Sequence, residues 1–153
     1  MATVRRAETL DAADISAIIG EILGEGLSIS FERALDPQEV TTLIERQGSA
    51  GATFVAEEDG AIVAFGSVDP DPADPGECTF GSWVRLEHRR RGIGTALAEV
   101  ALAFAREQGY RRIRGRLPAH NEPALSYLSA MGALVPLTNP GASFELPLYP
   151  EPS

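Results

Sequence analysis

Apolar residues at Ile15, Ile18, Ile19, Ile22 and Leu23 repeat at the spacing of one helical face. Asp11 and Asp14 stand before them as candidate N-caps, and Gly24 and Gly26 follow as a stop. A second helix is expected from Asp36-Pro37, with Asp36 as N-cap and Pro37 at the first helical position, through Val40, Leu43 and Ile44 to Gln47-Gly48. Thr3–Arg6 reads as a short extended start. Thr53–Glu57 and Ala61–Val68 read as strands joined by a hairpin turn at Glu58-Asp59-Gly60. Asp69–Gly76, with three prolines, is expected to be a loop. Cys78–Val84 is the next strand. Thr95–Gln108 is a helix with Leu97, Val100, Ala101 and Phe104 on one face, stopped at Gly109. Arg112–Leu117 is expected as a strand and Asn121–Met131 as a helix, with Asn121 as N-cap. Leu134–Leu137 and Ser143–Leu148 close the chain as two strands around Asn139-Pro140-Gly141.

The expected order is β-α-α-β-β-β-α-β-α-β-β. The β-α-β unit from Val84 to Leu117 implies one parallel strand pair, and the hairpins around it imply antiparallel neighbours. The fold class is therefore α/β (α+β): a mixed, mostly antiparallel, twisted sheet of about seven strands flanked by about four helices. At 153 residues the chain is long enough for one domain with a proper core, expected over residues 1–148 with a loose tail at 149–153.

Composition narrows the chemistry. The formal net charge is −9, which repels nucleic acid as a general partner. Yet between Val84 and Arg116 there are nine Arg against three Glu, a basic island that suits one local anion. No apolar run reaches the ~18–20 residues of a membrane span, and the first ten residues lack a signal peptide's apolar stretch. The cytoplasm is the expected compartment, with no membrane partner. A single cysteine, Cys78, excludes an internal disulfide and a cysteine-based zinc site, so no metal is expected. The final strand pair and the tail are a candidate homodimer contact.

The anion site is expected within Val84–Leu97. Arg89, Arg90 and Arg91 bring positive charge to a turn, and Gly92 and Gly94 let a ligand approach the backbone. The helix that follows presents its first N–H groups and the positive end of its dipole to the same point. Such a turn suits phosphate.

Arg89-Arg90-Arg91-Gly92-Ile93-Gly94, with Val84 five residues upstream, matches the R/Q-x-x-G-x-G/A signature of the GNAT superfamily of acyl-coenzyme A-dependent N-acetyltransferases. Asn121-Glu122-Pro123-Ala124-Leu125 resembles the family's N-x-x-A-x at the start of its fourth helix, and Gly132 falls where the family carries a glycine. The resemblance spans nearly the whole chain in element order and is most specific over Val84–Gly132. It implies acetyl-CoA as co-substrate and no metal. Backbone N–H groups from Arg90 to Thr95, Ile93 included, would cradle the pyrophosphate, with Arg89–Arg91 adding charge. The sheet would splay beside Val84, whose backbone would meet the pantetheine arm or the thioester oxygen. Asn121 would lie near the arm.

The resemblance also frames the proton transfers. Relatives often place a base on the fourth or a neighbouring strand, and Glu77 is the candidate here; as an alternative it is an exposed carboxylate closing an acidic loop. Many relatives place a tyrosine acid seven residues after the helix-starting asparagine. Here that position is Leu128, and a tyrosine, Tyr127, stands one place earlier, as a core residue first and a candidate acid second. Cys78 reads as a small buried residue rather than a nucleophile. The acceptor side is expected between the first two helices, where Ile29 and Phe31 would line a pocket and Glu25 or Glu32 would meet a cation. The implied activity is transfer of an acetyl group to a small-molecule amine. Alternatives are a non-catalytic acyl-CoA-binding member and acetylation of a protein or peptide amine.

Overall fold

The computed structural model describes residues 2–25, 33–89, 91–116 and 143–148. Among them are six strands and three helices: β1 (Thr3–Arg6), α1 (Ala12–Gly24), α2 (Pro37–Gln47), β2 (Ala52–Glu58), β3 (Ala61–Asp71), β4 (Asp74–Val84), α3 (Ile93–Glu107), β5 (Arg112–Arg116) and β6 (Ser143–Pro147). The expected helix at Asn121–Met131 and strand at Leu134–Leu137 lie outside the described residues. The strands form one sheet in the order β1-β2-β3-β4-β5-β6. Only β4 and β5 pair in parallel, joined by the α3 crossover; every other pair is antiparallel. The mixed sheet read from the sequence is thus observed.

Alternation along the strands builds two cores. Leu97, Ala101 and Phe104 of α3 cluster with Phe54, Phe80 and Val84. Ile15, Ile18, Ile19 and Ile22 of α1 cluster on the other face with Val55, Phe65 and Trp83. Burying each such side chain stabilises the fold by ~1.5–3 kcal/mol, and the α1 isoleucines are almost fully enclosed. The α2 start is as expected: Asp36 accepts the Glu39 N–H at 2.8 Å, and Glu39 accepts the Asp36 N–H at 3.1 Å. Asp59 and Gly60 take φ of 52° and 81° at the β2–β3 turn, the left-handed pair that a two-residue type I′ hairpin requires.

Two expectations change. Asp69–Gly76 is not an open loop: β3 runs to Asp71, and β4 starts at Asp74. The register jumps between Pro70↔Cys78 and Asp71↔Asp74, so Pro75 falls in a bulge where no ladder N–H is required. The Asp71 carboxylate accepts the Ala73 N–H at 2.8 Å, and that of Asp74 accepts the Gly76 N–H at 2.9 Å, closing the tip. Asp11, the expected N-cap, sits at that position but does not cap α1 with its side chain. Its carboxylate instead accepts the Glu8 N–H at 2.8 Å and both Arg5 guanidinium nitrogens at 2.9 Å.

Arg5 also reaches Glu57 at 3.0 Å, so one guanidinium ties β1 to β2 and to the start of α1. The Arg5 hydrogen bonds hold the buried Asp11 carboxyl below its ordinary 3.8, against the upward push of burial. A carboxylate depressed in the folded state adds stability above its unfolded pKa, and that stability is lost as pH falls through the folded value. Arg5→Ala is therefore expected to cost about 2 kcal/mol near neutral pH, below the ~3–5 of a fully buried pair because Arg5 is 38% exposed. The variant should also lose stability less steeply than wild type below pH ~4, where the pair is protonated away. Urea unfolding at pH 7 and pH 3 measures both effects; equal losses at the two pH values would contradict the pairing.

Candidate active site

Among the described residues the parallel ladder between β4 and β5 has three pairs, Glu77↔Arg112 to Thr79↔Arg114. Past Thr79, β4 continues to Val84, while β5 pairs with β6 along its whole length, from Arg112↔Pro147 to Arg116↔Ser143. Gly115 lies one step past the last of these pairs, and a Cβ there would lie 1.9 Å from the Phe80 carbonyl oxygen. Only a glycine lets the two backbones come this close.

At the far end of β4 the chain passes a short 3-10 turn, Leu86–His88, and enters α3 through Gly92. Gly92 has φ of 82° and ψ of 6°, a left-handed conformation that disfavours other residues. As N-cap it brings no side-chain acceptor, and the first turn carries no carboxylate. The first-turn amides of Ile93, Gly94 and Thr95 thus form a helix N-terminus suited to an anion.

The arginines of the turn are held within the chain. Arg89 donates through Nε to the Val84 carbonyl at 2.9 Å and through both terminal nitrogens to Glu25 at 2.7 and 2.6 Å. It therefore ties the end of β4 to the end of α1. Glu25, expected to meet a cation, meets this one. Arg91 pairs with Glu58, which also faces His88 Nδ1 at 3.3 Å. With Arg89 and Arg91 answered by carboxylates, the backbone amides of the first α3 turn would be left to meet an anion among the described residues. Arg90, Asn121, Tyr127, Leu128, Ile29, Phe31 and Glu32 lie outside them.

Glu77 is only 8% exposed, between Arg112 at 3.6 Å and Arg114 at 3.9 Å. It opens the parallel ladder, seven residues and so about 23 Å of strand from Val84. Cys78 is fully buried, and burial first, then the nearby Asp69 and Glu77 charges, pushes its thiol up to about 12. A thiol so protonated is not a nucleophile at neutral pH, in keeping with its reading as a core residue.

The sequence reading passed over a cavity of about 280 Å³ between the sheet and the α1–α2 layer. Its signal is the period-two row Ser67, Asp69 on β3 beside Thr53 on β2, which the three prolines of Asp69–Gly76 mask in the sequence.

No curated protein matches the chain in sequence. Solved structures do match in fold. An acetyltransferase candidate from Salmonella typhimurium, yncA, solved with acetyl-CoA, superposes with a TM-score of 0.82 at 18% identity, covering 99% of this chain and 96% of that one. A GNAT superfamily phosphinothricin acetyltransferase from Sinorhizobium meliloti, in complex with acetyl-CoA, gives 0.80 at 19% identity, with 96% and 88% covered. A ribosomal-protein-alanine N-acetyltransferase from Brucella melitensis gives 0.79 at 19%, with 95% and 99% covered. At these identities the likeness is one of fold. The family model of the acetyltransferase (GNAT) family matches residues 20–133, from α1 through the glycine turn and beyond β5, and the chain belongs to that family.

Proposed function

We propose that the protein is an N-acetyltransferase that takes acetyl-CoA as co-substrate and acetylates a small-molecule amine directly, with both substrates bound together. The N-terminus of α3, entered through left-handed Gly92 with no capping side chain and no first-turn carboxylate, carries this reading. Val84, the last residue of β4, stands just before the turn that leads into that helix. The residues present fit the coenzyme on that ground. The amides of Ile93, Gly94 and Thr95 hold the pyrophosphate at the positive end of the helix dipole. Gly92 supplies the left-handed entry. Arg89 positions the Val84 backbone through its 2.9 Å hydrogen bond, so the last residue of β4 is fixed where the arm ends.

Acetyl-CoA supplies an acetyl thioester when bound. An alkyl amine has a pKa of about 10 and is mostly protonated near neutral pH. The overall exchange turns an ammonium and a thioester into an amide, a thiol and one released proton. Holding the amine beside the thioester replaces a bimolecular encounter, an advantage that reaches ~7–11 kcal/mol of barrier in well-oriented cases. Supporting neighbours act on unlike acceptors, phosphinothricin in one and a ribosomal protein alanine in another, so the acceptor follows from this chain's own pocket.

Free-thiol release from acetyl-CoA, measured across a panel of small amines, tests the reading. Amine-dependent release above the coenzyme's own hydrolysis is the expected result. Coenzyme binding without release for any amine would instead favour a protein that only holds acyl-CoA.

A further inference from the structure

Glu25 is the C-cap of α1, where a carboxylate faces the negative end of the helix dipole and no basic residue stands in the last turn. A carboxylate there is unfavourable unless a cation answers it. Arg89 does so through two parallel hydrogen bonds of 2.7 and 2.6 Å. Glu21, one turn earlier, meets Arg85 at 3.6 Å, a looser copy of the pair. The Arg89 side chain is only 11% exposed, too buried to rely on water for its hydrogen bonds. One guanidinium thus spends both terminal nitrogens on α1 and keeps Nε for β4.

The target of Nε is specific. Arg85 donates its N–H to the Val63 carbonyl at 3.0 Å. Backbone groups alternate sides along a strand, so those of Val84 point away from β3, to the side on which β5 follows in the sheet. There the Val84 carbonyl accepts Arg89 Nε at 2.9 Å. That bond fixes the backbone of the last β4 residue before the turn into α3. A phosphate would draw on the terminal nitrogens of the guanidinium, which Glu25 occupies.

We propose that Arg89 is a positioning residue for acyl transfer and not a phosphate ligand. Nε sets the Val84 backbone at the thioester end of the coenzyme, and Glu25 holds the guanidinium in place for it. The proposal rests on the acetyltransferase reading above. What the site needs is a hydrogen-bond donor at the Nε position, and the charge matters only through Glu25. Glutamine carries its side-chain nitrogen the same number of bonds from Cα as arginine carries Nε. Arg89→Gln therefore keeps the donor and drops the ion pair. Arg89→Met fills the same length with no donor.

The test titrates acetyl-CoA and S-ethyl-CoA, the thioether that lacks the carbonyl oxygen, by calorimetry into wild type, Arg89→Gln, Arg89→Met and Glu25→Gln. The two ligands share their phosphates, so their affinity ratio reports the thioester end alone. Wild type and Arg89→Gln should bind acetyl-CoA at least about fivefold more tightly than S-ethyl-CoA, the size of one hydrogen bond. In Arg89→Met and Glu25→Gln the ratio should fall below about twofold, with S-ethyl-CoA affinity within about threefold of wild type in every variant. Arg89→Gln and Arg89→Met both lose the ion pair, so a purely structural bridge would move them together, and equal ratios in the two would overturn the proposal. A matching loss of both ligands in Arg89→Met, the behaviour of a phosphate contact, would overturn it too. If Glu25→Gln does not fold, the two Arg89 variants decide alone. Binding of both ligands without preference in wild type would sink this proposal and leave the coenzyme reading in place; binding of neither would sink both.

Discussion

Gly115→Ala is expected to lower stability by about 3 kcal/mol, the upper part of the usual range for overpacking. The added methyl carbon would lie 1.9 Å from the Phe80 carbonyl oxygen, 3.0 Å from its carbon and 3.2 Å from its nitrogen. These are backbone atoms, so no rotamer change relieves the clash. β5 must move away from β4, and Thr79↔Arg114, the ladder pair next to it, is strained first. About 3 kcal/mol is a large share of the ~5–15 kcal/mol that holds a domain together. A lower urea midpoint with unchanged slope is the expected reading. A wild-type midpoint would mean that the strands are not held this closely.

Gly94→Trp separates fold from binding. Gly94 is the second residue of α3, inside the helix, where any residue adopts the backbone. Replacing a helical glycine gains up to ~1 kcal/mol of helix propensity, so the melting temperature should stay level or rise. A helical Cβ leans toward the N-terminus of its helix, and the indole would occupy the space in front of the first-turn amides. Acetyl-CoA affinity should fall at least about 100-fold, or some 2.7 kcal/mol. Calorimetry on the folded variant measures it. Wild-type affinity would contradict the assignment of those amides to the pyrophosphate.

Local rules carried much of the fold. The α2 capping box, the Asp59-Gly60 turn and the helix after the glycine turn each depend on residues within one or two turns of chain, and each is legible from type and spacing. Asp69–Gly76 was not, because proline breaks a regular ladder but not an irregular one. The bulge at Pro70 and Asp71 comes from how β3 meets β4, not from the segment itself. That misreading put Asp69 in a loop and hid the cavity's polar end. The arginine turn was legible as a motif but not in its pairing. Glu25 is 64 residues before Arg89 and Glu58 is 33 before Arg91, so only the fold brings them together. The splay beside Val84 came from family resemblance, and the chain beyond Arg116 that would border it lies outside the described residues.

An acyl coenzyme held at the N-terminus of α3, beside the end of β4, is the central proposal. Calorimetric titration of acetyl-CoA into the wild-type protein tests this most directly. Saturable binding at one site per chain, with a dissociation constant in the micromolar range, is the predicted result. No binding heat up to millimolar acetyl-CoA would contradict it.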